Sequence, residues 1–304
     1  MFDFWRRSKY SRPERYKDLI DEKGFSETMI ISLKCLKRLK VEVLKIEDGD
    51  ILYKNNENES AHYYLDNLIR KLASLDESER FEEINRHFES LQDKSDAHNY
   101  LYKDYEYAIQ FLKVLIKPND TIPSLDDFIH KSDYPETSTF LVFDFEGQFV
   151  YIRKDRAKAW EKTDEELFSV ALHNISKEEV EIKEYSFGDK FLVYILFNGD
   201  FSASYTLELE KNVELSIGTF GSLIAIPTKG TALIHPIETN DILDLVSILY
   251  PLIEKFYNED PGNISLDFYW YKDNQFEIFP KQPAENNLMT IHLPEKLKTI
   301  LEDK

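Results

Sequence analysis

One cysteine, Cys35, stands in 304 residues, so no internal disulfide can form and a reducing cytoplasm is the expected setting. On a helix it reads as a small packed hydrophobe rather than a nucleophile. Glycine is also scarce, nine in all, and neither G-x-G-x-x-G nor the phosphate-cradling P-loop pattern occurs. No G-x-S-x-G elbow is present. The seven histidines, His62, His87, His98, His130, His173, His235 and His292, are scattered, with no H-x-x-x-H spacing and no Cys/His pair. These gaps remove the local signatures of nucleotide, serine-hydrolase and metal chemistry, and no cofactor or metal is expected. No apolar run approaches the roughly 18–20 residues of a membrane span. Met1 to Arg7 lack an apolar signal core.

Charge, by contrast, is abundant and lopsided. Residues 1–40 carry a net +5, whereas residues 41–304 hold 27 basic against 51 acidic residues, a net of −24. Such a body repels nucleic-acid phosphates. It favours encounter with a basic protein through long-range steering. Phe2, Phe4, Trp5, Arg6, Arg7 and Lys9 mix aromatic and basic residues, but the patch is short, and stable membrane association is not expected.

Hydrophobic periodicity sets the organisation. Residues 1–24 read as a basic arm, 25–117 as an N-terminal α+β region, 118–136 as a proline-bearing linker and 137–304 as a repeat region. Ser26 is placed to cap a helix through Met29, Leu33 and Leu36. Val41–Ile46 and Ile51–Tyr53 flank Asp48-Gly49, a hairpin signal. Two helices follow, one from Ala61 through Leu65, Leu68, Leu72 and Leu75, the other through Phe81, Ile84, Phe88 and Leu91. Gln92–Asn99 marks a break. Tyr100–Lys117 fits a helix through Leu101, Tyr105, Ala108 and Leu112, and equally a strand over Gln110–Ile116.

Four hairpin signals then begin near Thr139, Val180, Ser222 and Ile264, at intervals of 41, 42 and 42 residues. The later three turn at Gly188-Asp189, Lys229-Gly230 and Asp273-Asn274. Between them, Thr163 and Glu166 form a capping box. Gly199–Val213 offers a helix face through Phe201, Tyr205, Leu209 and Val213, with strand-like alternation over Tyr205–Leu209. Asn240 caps a long helix that Pro251 should bend or break. Hairpins feeding helices predict an α+β fold of antiparallel sheet with helices packed on one face. Leu223, Ala225, Leu233, Val246, Leu249 and Phe256 should share one core.

Three segments carry a family resemblance. They are Phe149-Val150-Tyr151-Ile152 with Trp160, Thr163 and Leu172-His173-Asn174; Leu196 to Ser204; and Leu223 to Pro227 with Thr231 to Ile234. Together with the order of elements from Phe25 onward, they make the chain resemble the YtpQ-like family. That resemblance implies a bacterial cytoplasmic protein with no established activity. It also implies helix over Gly199–Val213 and strand over Gln110–Ile116.

Two places look site-like. Asn198-Gly199-Asp200-Phe201-Ser202 follows an apolar strand and opens a helix, where free backbone N–H groups could take a partner's carboxylate or an anion. Asp200 there is also a natural cap for those groups. In Phe268-Tyr269-Trp270-Tyr271, strand alternation puts one pair in the core and the other either at the surface or under a second layer; with the tyrosines as the exposed pair, Tyr269 and Tyr271 become partner anchors. With Asn198, Gly199, Asp200 and Ser202 they form the expected partner-binding set of a non-catalytic protein. Neutralisation of a basic effector, as by immunity proteins, is one form such binding takes. The alternative is a hydrolase assembled from Asp200, His173 and His235.

Overall fold

The computed structural model describes residues 9–54, 60–119, 121, 125–145, 148–188, 190–283 and 289–302. Within these, the side chains of residues 60, 61, 89–99, 283 and 289 are left aside. The aromatic and basic residues Phe2 to Arg7, the side chain of Leu91, and most of the Asn55–Ser60 loop therefore lie outside the described residues. The chain forms two units, one of residues 1–101 with Glu259–Pro261, the other of the remainder.

The first unit holds helix α1 (Glu22–Arg38), strands β1 (Glu42–Glu47), β2 (Asp50–Lys54) and β3 (Ser60–Tyr63), helix α2 (Asp66–Ala73) and most of helix α3 (Glu77–Lys103). Asp48 and Gly49 both take positive φ, the conformation a two-residue hairpin turn needs, and β1 pairs with β2 as the sequence predicts. α1 starts earlier than expected. Asp21, not Ser26, is its cap, accepting from Gly24 N at 2.7 Å. Ile20 and Phe25 occupy the two positions of a hydrophobic staple and share the core, which fixes the start there. Ser26 is instead buried inside the helix, its hydroxyl accepting from the Lys9 and Tyr10 N–H groups.

Residues 9–24 are accordingly no arm. Tyr16 is fully buried, and its hydroxyl donates to Asp66 at 2.8 Å. The neighbouring Arg15 bridges Asp48, Asp50 and Asp66. Two further boundaries shift. Ala61 lies in β3, so the next helix begins only at Asp66. α3 also runs straight through the expected break at Gln92–Asn99.

The second unit is α+β. Its elements are α4 (Tyr105–Ala108), β4 (Leu112–Pro118), β5 (His130–Lys131), β6 (Thr137–Phe145), β7 (Gln148–Tyr151), α5 (Lys154–Ala157) and α6 (Asp164–Ile175). There follow β8 (Glu181–Phe187), β9 (Phe191–Phe197), α7 (Ser202–Tyr205), α8 (Leu209–Asn212), β10 (Ser222–Thr228), β11 (Thr231–Pro236) and α9 (Ile242–Glu259). β12 (Phe268–Lys272), β13 (Gln275–Ile278), β14 (Lys281–Pro283), β15 (Met289–Ile291) and α10 (Glu295–Glu302) complete it. Among the described residues no helix is long and apolar enough to cross a membrane.

All four hairpins form antiparallel pairs. They do not share one sheet. β8 to β13 build six strands in the order β13-β12-β10-β11-β9-β8, whereas the first hairpin joins β4 and β5 in a separate sheet. β4 pairs with β6 along its whole length, which places it in this unit rather than in an N-terminal region ending at 117. Residues 118–136 are no linker either, because β5 pairs with β6 and Tyr134 is completely buried.

The six-stranded sheet is covered on both faces. On one, Leu223, Ala225, Leu233, Phe268 and Trp270 pack against Val246, Leu249 and Ile253 of α9, with Phe256 at the edge, the core that periodicity predicts. On the other, Ile224, Ile234, Tyr269 and Tyr271 pack with Leu209, Val213, Ile116 and Tyr134. Thr163 and Glu166 make the predicted capping box of α6. α9 begins at Ile242, slightly later than a cap at Asn240 requires, and continues unbroken through Pro251. Gly199–Val213 contains helix, but as two short α segments joined by a 3₁₀ turn.

Candidate functional site

The segment after β9 is shaped by Asn198. Its carboxamide oxygen accepts from the Asp200 and Phe201 N–H groups at 3.2 and 3.0 Å, and its amide nitrogen donates to Glu179 O at 2.8 Å. Asn198 thus holds the turn that leads into α7, whose N-cap is Phe201 with no side-chain cap, so Asp200 is not the cap that the sequence assigns. The Ala203 N–H is taken by Lys229 O at 3.2 Å. The N–H groups of Asp200, Phe201 and Ala203 are thus spent inside the protein.

The hairpin turn of β10 and β11 clamps this segment from the other side. A Cβ on Gly230 would stand 2.7 Å from Gly199 O, so only glycine allows the two backbones to press together. Asn198 N donates to Gly230 O at 3.2 Å. Above this contact Lys229 Nζ lies 2.6 Å from Asp200 Oδ1. The lysine side chain is 5% exposed and the aspartate 36%. Ser202 is fully buried and its hydroxyl has no hydrogen-bond partner among the described residues.

A second buried lysine stands nearby. Lys113, the one buried charge of strand β4, donates to Asn174 O at 3.0 Å and pairs with Glu178. Asn174 in turn donates to Ile109 O and Leu112 O, which ties the end of α6 to the start of β4. Phe201 and Phe149 meet edge to face at 5.6 Å, with Lys113 Nζ 5.6 Å from the first ring and Lys229 Nζ 5.3 Å from the second. Burial pushes the Asp144 carboxyl above its ordinary value of 3.8, Asp200 and Glu178 act in the same sense, and Lys113 and Lys229 oppose them. The arrangement is a joint between two sheets in which two ammoniums meet the carboxylates of Asp144, Glu178 and Asp200. Each ammonium also lies near an aromatic ring, which suits anchoring more than turnover.

The hydrolase constellation is not assembled. Thr231 pairs with Phe197, and His235 lies four residues farther along β11, roughly 13 Å from the Asn198 end. His235 Nδ1 is engaged by Leu192 O at 2.6 Å, and burial lowers its pKa. His173 is exposed on α6. A groove of about 450 Å³ lies elsewhere, lined by Leu243, His292, Leu293 and Leu301 among others. No group of three His, Cys, Asp or Glu side chains is gathered for a metal among the described residues.

Tyr269 and Tyr271 are 0% and 1% exposed, so neither can anchor a partner at the surface. Strand alternation does separate them from Phe268 and Trp270, but both faces are core. Of the expected partner-binding residues, Asn198, Gly199, Asp200 and Ser202 gather at the joint. Only Asp200 among these carries a charge, and it is committed to Lys229.

Sequence reasoning missed Lys113, Asp144 and Phe149 as members of this joint. Its one available signal was a single charge inside an otherwise apolar strand, Lys113 in Leu112–Ile116 and Asp144 in Phe140–Phe145.

A different surface emerges at β8. Six of its seven residues are exposed, including Ile182 and Tyr185, and they sit among Glu179, Glu181 and Glu184. Comparison with protein-family models, with curated proteins and with solved structures finds no match. The YtpQ-like resemblance rests on its three segments and the order of elements from Phe25 onward.

Proposed function

We propose that this protein works by binding a basic protein partner in the cytoplasm rather than by catalysis. The observation that carries the reading is the surface of β8, where exposed Ile182 and Tyr185 are set among carboxylates. Exposed apolar side chains among mostly acidic charge, with Lys183 the one cation of the strand, suit a complementary partner: burial supplies affinity, and charge supplies steering and selectivity. The net charge of −19 adds long-range attraction for such a partner. The relation to YtpQ-like proteins belongs to the same proposal, as does neutralisation of a basic effector.

Affinity capture of the full chain from a bacterial lysate, at low and at near-physiological salt, tests the reading. A basic protein recovered in stoichiometric amount and weakened by added salt supports it. Recovery of no stoichiometric partner at either salt overturns it.

A further inference from the structure

β8 is an open sheet edge of unusual kind. It pairs with β9 residue for residue from Glu181↔Phe197 to Phe187↔Phe191 with no bulge, and no described strand lies on its outer side. Its outward N–H and C=O groups are therefore a ready template for another strand. Several other edges are guarded, and the equally long edge β4 is mostly buried, with Ser204 Oγ donating to Val114 O. β13 has four residues and is mostly half-buried, β5 has two, and β1 carries a register shift between Val43 and Lys45. β8 has neither proline nor glycine, and nothing covers it among the described residues.

Resting on the partner-binding reading, we propose that β8 accepts an extended segment of the basic partner as a seventh, antiparallel strand, with a cationic side chain opposite Glu184. Ile182, Glu184 and Ser186 point to one face, and Glu181, Lys183, Tyr185 and Phe187 to the other. Lys183 is already satisfied, 3.0 Å from Glu181 and 5.6 Å from the Phe197 ring. Glu184 makes no ion pair among the described residues and remains to be matched. The incoming strand therefore carries arginine or lysine opposite Glu184. Small or apolar residues meet Ser186 and Ile182 on that face, and an apolar residue meets Tyr185 on the other.

A second copy of this chain fits less well. Two-fold symmetry across an antiparallel edge sets residues of the same face opposite one another. Registers centred on Glu184 or Lys183 would then oppose like charges at the closest approach, and among the central three only the one centred on Tyr185 avoids this. Each copy also carries −19.

The test titrates the full chain with a blocked seven-residue peptide alternating threonine and valine, with arginine at its centre. Two controls are a glutamate-centred peptide and the arginine peptide N-methylated at alternate amides. The arginine peptide should bind about tenfold more tightly than the glutamate peptide, and Glu184→Lys should reverse that order. N-methylation should abolish binding, since main-chain hydrogen bonds hold an added strand. Binding indifferent to N-methylation, no binding at millimolar peptide, or self-association broken by Glu184→Lys each overturns the inference. If a captured protein partner binds the Glu184→Lys chain as tightly as the wild type, strand addition fails while partner binding stands. If the peptides behave as expected but no partner is ever captured, the broader reading fails instead.

Discussion

Lys229 and Asp200 form an unequal pair: the ammonium is sealed beneath the Phe149 ring while the carboxylate keeps a path to water. Removing one partner therefore differs from removing the other. Asp200→Asn takes a charge partner from a buried cation and should cost about 3 kcal/mol. Lys229→Met keeps the stem packed and leaves a carboxylate that water can reach, at about 1 kcal/mol. Denaturant melts of the two variants measure the difference. Equal losses would mean that the burial asymmetry has no energetic weight.

The aromatic strand β12 serves folding on both faces. Trp270 donates to Phe220 O at 2.7 Å in one core, and Tyr271 is sealed in the other. Trp270→Ala and Tyr271→Ala should each cost about 3–5 kcal/mol, a large share of the roughly 5–15 kcal/mol that holds a domain together. Thermal melts decide the matter. A Tyr271→Ala chain that melts like the wild type would contradict the two-core arrangement.

Asp144 predicts a pH dependence of definite sign. Its carboxyl holds a proton to higher pH in the folded than in the unfolded chain, chiefly through burial. Folding thus takes up protons between the ordinary value of 3.8 and the raised one, and this group's contribution to stability falls as pH rises through that window. Asp144→Asn lacks the effect. Its melting temperature relative to wild type should climb from about pH 4 upward and then level off. A difference that stays flat or shrinks would exclude the raised carboxyl.

Hairpins were legible in the sequence because their turns are local chemistry. Asp273 and Asn274, like Asp48 and Gly49, take the positive φ that their residue types tolerate. The core around Leu223 and Val246 followed from strand and helix periods. The joint was not legible, because Lys113, Asp144, Asp200 and Lys229 come from separate elements and no local pattern announces their meeting. Tyr134 shows the same limit. A proline-bearing stretch reads as linker, yet one side chain from it meets Tyr269 edge to face and bonds Thr206 at 2.6 Å. The exposure of β8 was hidden too, since only the strand order places Glu181–Phe187 at an edge.

The central claim is that β8 is a docking edge for a basic extended segment, and amide hydrogen exchange across Glu181–Phe187 tests it most directly. In the free chain the outward amides of β8 should exchange quickly while those bonded to β9 are protected. Saturation with the arginine-centred peptide should slow the outward set selectively, leaving β13 at the opposite edge unchanged. Outward amides that are already protected in dilute free protein, or that exchange equally fast with the peptide bound, would contradict the account.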